Sequence, residues 1–145
     1  MVSNETNERR FSTMKAKVLT STASGAVGKA AEAIARALQC KCDSVPPAYP
    51  CDKEAVVFIG VGAAGLSSKV MKYLSTLNRA STRNVAFFCA ASGKGSAEKL
   101  GETLAANGIT VYAETFICKG GLFTAKKEAA RAVEWMNSVC EHLAQ

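Results

Sequence analysis

KVLTSTASGAVGKAAEAIARAL, residues 17–38, joins a short apolar run to a hydroxyl-rich turn and then to a helix-like segment. Residues 17–20 read as a strand, and residues 25–39 as a helix with Ala, Ile and Leu on one face. Between them Ser21, Thr22 and Ser24 supply hydroxyl groups, and Gly25 lets the backbone curl. A helix N-terminus holds backbone N–H groups with no intrahelical partner, and its dipole favours an anion, so this turn suits a phosphate. The same residues also read as a plain N-cap, Ser24 or Thr22, with no ligand at all. Gly28 and Lys29 raise a nucleotide P-loop, ASGAVGKA (residues 23–30). Against it, Ala23 occupies the leading glycine position, and Ala30 lacks the hydroxyl that would hold magnesium.

Outward from this unit the chain keeps alternating. A short second strand is expected within residues 40–45, and SVPPAYPCDKE (residues 44–54) excludes regular structure up to residue 55. Residues 55–59 form an apolar strand and 66–77 a helix. Residues 84–90, NVAFFCA, form a buried strand, and residues 96–106 a helix ended by Gly108. Residues 109–118 are expected as the last strand, and Thr124 as the cap of a final amphipathic helix carrying Trp135 and Met136. Near-continuously apolar strands alternating with helices imply a parallel sheet covered on both faces, an open α/β sandwich with residues 17–20 central. Residues 1–14 read as a flexible tail and residues 15–145 as one domain.

Such sheets bind ligands beyond the carboxyl ends of their strands. Three small-residue loops sit there: residues 21–27, 60–65 and 90–95. The second, within IGVGAAGL (residues 59–66), satisfies G-x-G-x-x-G through Gly60, Gly62 and Gly65. A dinucleotide site needs that loop after the first strand and a carboxylate closing the next. Here it follows the third strand, and the next ends in Cys89, Ala90, Ala91 and Ser92.

Composition narrows the function classes. Hydrophobic residues at 48% and charged residues at 21% indicate a folded core. No apolar run is long enough to cross a bilayer and residues 1–15 are polar, so no membrane association and a cytoplasmic location are expected. The net charge of +6 is spread along the chain. Ten aromatic residues (one Trp, three Tyr, six Phe) do not interleave with the cations, so no nucleic-acid partner is expected. The six cysteines form no CxxC pair and the single histidine, His142, is distant, which argues for reduced, mostly buried thiols and against a metal site. With one histidine, Ser/His/carboxylate constellations are absent, and no catalytic residue is assigned.

KVLTSTASGAVGKAAEAIARAL resembles the opening of a flavodoxin, in which a phosphate loop of the form (S/T)-x-(S/T)-G-x-(S/T) precedes a helix. Thr22, Ser24 and Gly25 match that loop. KEAVVFIGVG (residues 53–62) is similar to the third strand leading to a flavin loop. RNVAFFCAASGKGSAEKLGETLAANGITVYAETFICKG (residues 83–120) is similar to small flavodoxin-like proteins whose fifth strand ends F-x-C-x-G, here Phe116, Cys118 and Gly120. The resemblance implies a five-stranded parallel sheet in the order 2-1-3-4-5 with helices on both faces. It also implies one non-covalent FMN and electron transfer with a partner reductase or oxidase.

Carried over residue by residue, the phosphate loop is Ser21, Thr22, Ala23, Ser24, Gly25, Ala26 and Val27. The first flavin loop is Gly62, Ala63, Ala64 and Gly65, and the second Ala91, Ser92, Gly93, Lys94 and Gly95. Val27 stands where the pattern has a further hydroxyl, and neither flavin loop carries an aromatic ring. Tyr49 is the ring left either to cover the site or to sit at the surface. The basic charge suits a partner with an acidic or apolar docking surface. The alternative function is a flavodoxin-like fold that has lost FMN and serves as a binding or regulatory subunit.

Overall fold

The computed structural model describes residues 14–119 and 125–144. In chain order the elements are β1 (Ala16–Thr20), α1 (Gly25–Leu38), β2 (Cys42–Ser44), β3 (Glu54–Val61) and α2 (Ser68–Leu74). There follow β4 (Thr82–Ala90), a 3-10 turn (Ala91–Gly93), α3 (Lys94–Ala106), β5 (Thr110–Val111), β6 (Phe116–Cys118) and α4 (Ala125–Ala144).

All strand pairs are parallel, and the sheet runs β2-β1-β3-β4-β5, with β6 also paired to β4. The expected order 2-1-3-4-5 is therefore the observed one. β3 is the middle strand, while β1, expected there, is interior beside the edge strand β2. The long apolar run in β3 suits the middle position, because both its faces are covered.

Two apolar layers enclose the sheet. On one face Val18, Val56, Phe58 and Phe88 meet Val27, Ala31 and Ile34 of α1 and Ala132, Trp135, Met136 and Val139 of α4. On the other, Leu19, Val57, Ile59, Val85 and Phe87 meet Leu74 of α2 and Ala97, Leu100 and Leu104 of α3. A fully buried Val or Ile side chain contributes about 1.5–3 kcal/mol, so Val27 and Ile34 anchor α1 to the sheet. Its buried positions 27, 28, 30, 31, 34 and 35 form one stripe at helical spacing. Gln39 closes α1 in the left-handed region (φ 57°).

Several expected boundaries move for identifiable reasons. β3 runs on through Gly60 and Val61, which pair with Phe88 and Cys89, so the second loop starts at Gly62. α2 is shorter than the expected 66–77, because Ser67 caps it by accepting from Val70 N–H at 3.2 Å and a hydrogen-bonded turn at Asn78–Ser81 follows. α3 begins at Lys94 directly after the 3-10 turn, two residues before the expected start.

The expected last strand, 109–118, divides into β5 and β6. Tyr112 N–H still bonds the Val85 carbonyl (2.8 Å), but the Glu114 carbonyl accepts from the Trp135 indole N–H at 3.1 Å. A buried indole needs an acceptor, and this one comes from the interrupted stretch. Thr124 and Gly120 lie outside the described residues, as do residues 1–13 of the expected tail, residues 1–14; Met14 packs against the core.

No disulfide links the six cysteines. Burial pushes the Cys40 thiol up to about 11 and those of Cys118 and Cys140 up to about 12. Among the described residues no three His, Cys, Asp or Glu side chains gather as a metal site, and no helix is long and apolar enough to cross a membrane.

Candidate functional site

The carboxyl ends of β1 and β3 deliver two loops to one place. β1 ends in Thr20, buried at 4% exposure, whose hydroxyl donates to the Thr22 carbonyl (2.6 Å) and accepts from Thr22 N–H (3.2 Å). This pair of hydrogen bonds folds the turn back on itself. Ser21 then ties the loops together: its N–H donates to the Gly60 carbonyl and its Oγ accepts from Gly62 N–H, both at 2.9 Å.

Next, Thr22 Oγ1 accepts from Ser24 N–H at 3.3 Å and lies 3.2 Å from Ser24 Oγ. Ser24 is the extended N-cap of α1, but its side chain makes no capping bond. The first intrahelical bond runs from Gly28 N–H to the Ser24 carbonyl at 3.2 Å. The N–H groups of Gly25, Ala26 and Val27 therefore have no intrahelical acceptor. Gly25 adopts φ +71°, with open space where a side chain would stand. The turn packs so tightly on α1 that a Cβ at Gly28 would lie 2.3 Å from the Ala23 carbonyl oxygen. Gly28 is thus a packing glycine, and Lys29 is exposed and away from the cleft. The P-loop reading has no geometry behind it.

These loops border a cleft of about 440 Å³. Ser21, Thr22, Ser24, Gly25, Ala26 and Val27 form one wall, and Gly62, Ala63, Ala64 and Gly65 the other. Gly65 N–H closes a turn onto the Gly62 carbonyl (3.0 Å). Ala23 is exposed but stands outside the lining. Val27 borders the cleft while being 3% exposed and part of the core.

The third expected loop behaves differently. Ala91, Ser92, Gly93, Lys94 and Gly95 are not lining residues, because they form the 3-10 turn and the start of α3. Gly93 is buried under residues 62–65: a Cβ there would come within 2.5 Å of the Gly62 carbonyl. Ser92 Oγ donates to the Ala63 carbonyl at 3.0 Å. This segment buttresses residues 62–65 from behind. Lys94 is exposed and pairs with Glu98 at 3.9 Å.

Ala90 and Cys118, ending β4 and β6, also line the cleft; Ala90 opens the expected third loop, whereas sequence reasoning did not place Cys118 there. The signal available was the F-x-C-x-G motif, which set Cys118 at a strand's carboxyl end. Its thiol, raised by burial, is neutral at pH 7 and gives the cleft an apolar boundary. Among the described residues no aromatic ring lines the cleft. Tyr49 is 72% exposed, and its carbonyl accepts from Lys17 Nζ (2.8 Å) near the amino end of β1, so it does not cover the cleft.

No protein-family model and no curated protein sequence matches the chain. Solved structures do. A flavodoxin from the domain Archaea superposes with a TM-score of 0.64 at 14% identity, over 91% of this chain and 100% of that one. A Streptococcus flavodoxin gives 0.52 at 13% identity, over 86% and 98%. A diflavin flavoprotein from Nostoc sp. gives 0.52 at 15% identity, over 90% and 96%. With the strand order, these likenesses show that the chain has the flavodoxin-like fold.

Proposed function

We propose that the cleft binds FMN and that the protein exchanges electrons with a partner reductase or oxidase. The observation carrying this reading is the set of three N–H groups at residues 25–27, without intrahelical acceptors, bordering a cleft at the carboxyl ends of the strands. The residues fit the phosphate end of FMN: backbone donors, the α1 dipole and the Thr22 and Ser24 hydroxyls converge on one wall. The volume is within the range of small-molecule sites. When bound, the flavin supplies one- and two-electron redox chemistry. The Gly25–Val27 amides would hold its phosphate, and residues 62–65, stiffened by Ser92, would support the ring. Ala90 and Cys118 would keep water from the cleft's apolar boundary. Flavodoxins and a flavoprotein among the similar folds support the assignment. The net charge of +6 favours a partner with an acidic docking surface.

A second reading, a cofactor-free binding or regulatory subunit, is favoured by one observation. Thr22 and Ser24 satisfy each other, and among the described residues no ring lines the cleft for stacking. Fluorescence titration separates the two. FMN binds more tightly than riboflavin if the phosphate is held at residues 25–27, and Gly25→Val abolishes that preference with the fold intact. The open space at Gly25 means the substitution meets no neighbour, while φ +71° strains a branched residue in the loop itself. Equal affinity for FMN and riboflavin refutes a phosphate contact at residues 25–27, and no binding of either leaves the cofactor-free reading standing.

A further inference from the structure

We propose a second anion site at the opposite, amino-terminal end of the sheet, which takes the phosphate group of a small phosphate monoester. Lys53, Arg79 and Arg83, with Ala55 and Ala80, line a cavity of about 360 Å³ where β3 and β4 begin. Among the described residues none of these three cations takes part in an ion pair.

Two features hold the cations in place. Arg79 sits in a turn where the Asn78 side-chain oxygen accepts from Ala80 N–H (2.9 Å) and Ser81 N–H (3.2 Å). The Ser81 carbonyl in turn accepts from Glu54 N–H (2.9 Å), which fastens that turn to β3. The Arg79 guanidinium also donates to the Gly108 carbonyl (3.2 Å), so one end of its fork is fixed. Lys53 occupies the left-handed region at φ 52°, a conformation that non-glycine residues rarely adopt. Strain of this kind is retained where the surroundings demand one placement.

The carboxylates adjacent in sequence do not line the cavity. Glu54 is 3% exposed and paired with Lys15 at 3.7 Å, and neither it nor the exposed Asp52 is a lining residue. Three positive charges, two of them guanidinium forks, match a dianionic phosphate better than a single carboxylate.

The test is amide-resolved NMR titration of the full chain at constant ionic strength with glycerol phosphate, inorganic phosphate, chloride and a glutamate-rich peptide. Saturable shifts at Lys53, Ala80 and Arg83 are expected with both phosphates and not with chloride. Glycerol phosphate should bind there more tightly than the peptide. Arg79→Gln/Arg83→Gln should weaken the response about tenfold or more, leaving any response at residues 24–27 unchanged. Arg83→Gln alone, which spares the Arg79–Gly108 bond, should weaken it in the same direction. The proposal is overturned if these amides show no saturable shift, if chloride matches phosphate, or if the folded variants bind like the parent. Tighter binding of the peptide also overturns it, in favour of a protein-docking surface. Loss of FMN binding at the cleft leaves this test untouched, because the two sites report through different amides.

Discussion

Gly28→Ala should destabilise the protein and Gly95→Ala should stabilise it, although both put the same methyl group on a helical glycine. At Gly28 the new Cβ would stand 2.3 Å from the Ala23 carbonyl oxygen and 2.4 Å from its carbon. Those are backbone atoms, so no side-chain rotation relieves the overlap, and the turn at residues 21–25 must lift from α1. Overpacking costs about 1–3 kcal/mol, and the rigidity of the neighbour places this case near the upper end. Replacing Gly by Ala inside a helix returns about 0.8–1 kcal/mol, which leaves a net loss of about 2 kcal/mol. At Gly95, in the first turn of α3, nothing lies within 4 Å of the added Cβ. There the reduced freedom of the unfolded chain gives a gain of about 0.4–1 kcal/mol. For a domain of this size the two variants should melt roughly 5–10 °C apart, on either side of the parent. Urea denaturation followed by circular dichroism measures both free energies. Amide shifts in Gly28→Ala should concentrate at Ala23 and Ser24. A Gly28→Ala protein as stable as Gly95→Ala refutes the close packing of the turn on α1, and with it the geometry that frees the amides of residues 25–27.

Two further outcomes follow from the same structure. Val27→Thr places a hydroxyl at the cleft border on a nearly isosteric side chain, and FMN affinity by fluorescence titration should rise about tenfold while riboflavin affinity stays unchanged; equal gains for both ligands count against a phosphate contact at this position. The buried thiols of Cys118 and Cys140 are raised to about 12 from an ordinary value of 9.0, so the folded state keeps protons that the unfolded state releases. Stability should therefore be unaffected by these groups below about pH 9 and fall as pH rises from 9 towards 12, measured by urea midpoints across that range; flat midpoints refute the burial, and thiol titration of the denatured, unreduced protein should count all six cysteines.

The alternation of apolar strands and amphipathic helices was legible because each element repeats its own period: the stripe at residues 27, 28, 30, 31, 34 and 35, and the unbroken apolar run of β3. From these the sequence by itself determined a covered parallel sheet. Its small-residue loops determined which end would carry a cleft, since Ser, Thr and Gly after a strand permit tight turns at a helix N-terminus. Resemblance to flavodoxins supplied the strand order that the sheet adopts. Tertiary structure decided what depends on partners distant along the chain. Residues 91–95 resemble a binding loop in composition, yet Ser92 and Gly93 lie behind residues 62–65, because the β4–α3 junction packs against that backbone. The strand at 109–118 breaks because Trp135, on another element, requires the Glu114 carbonyl. Cys118 reaches the cleft and Lys53 joins Arg79 and Arg83 only through the register of β3, β4 and β6. Local periodicity records which face of an element is buried; it holds no information about which neighbour buries it, and that choice belongs to the packing of the whole chain.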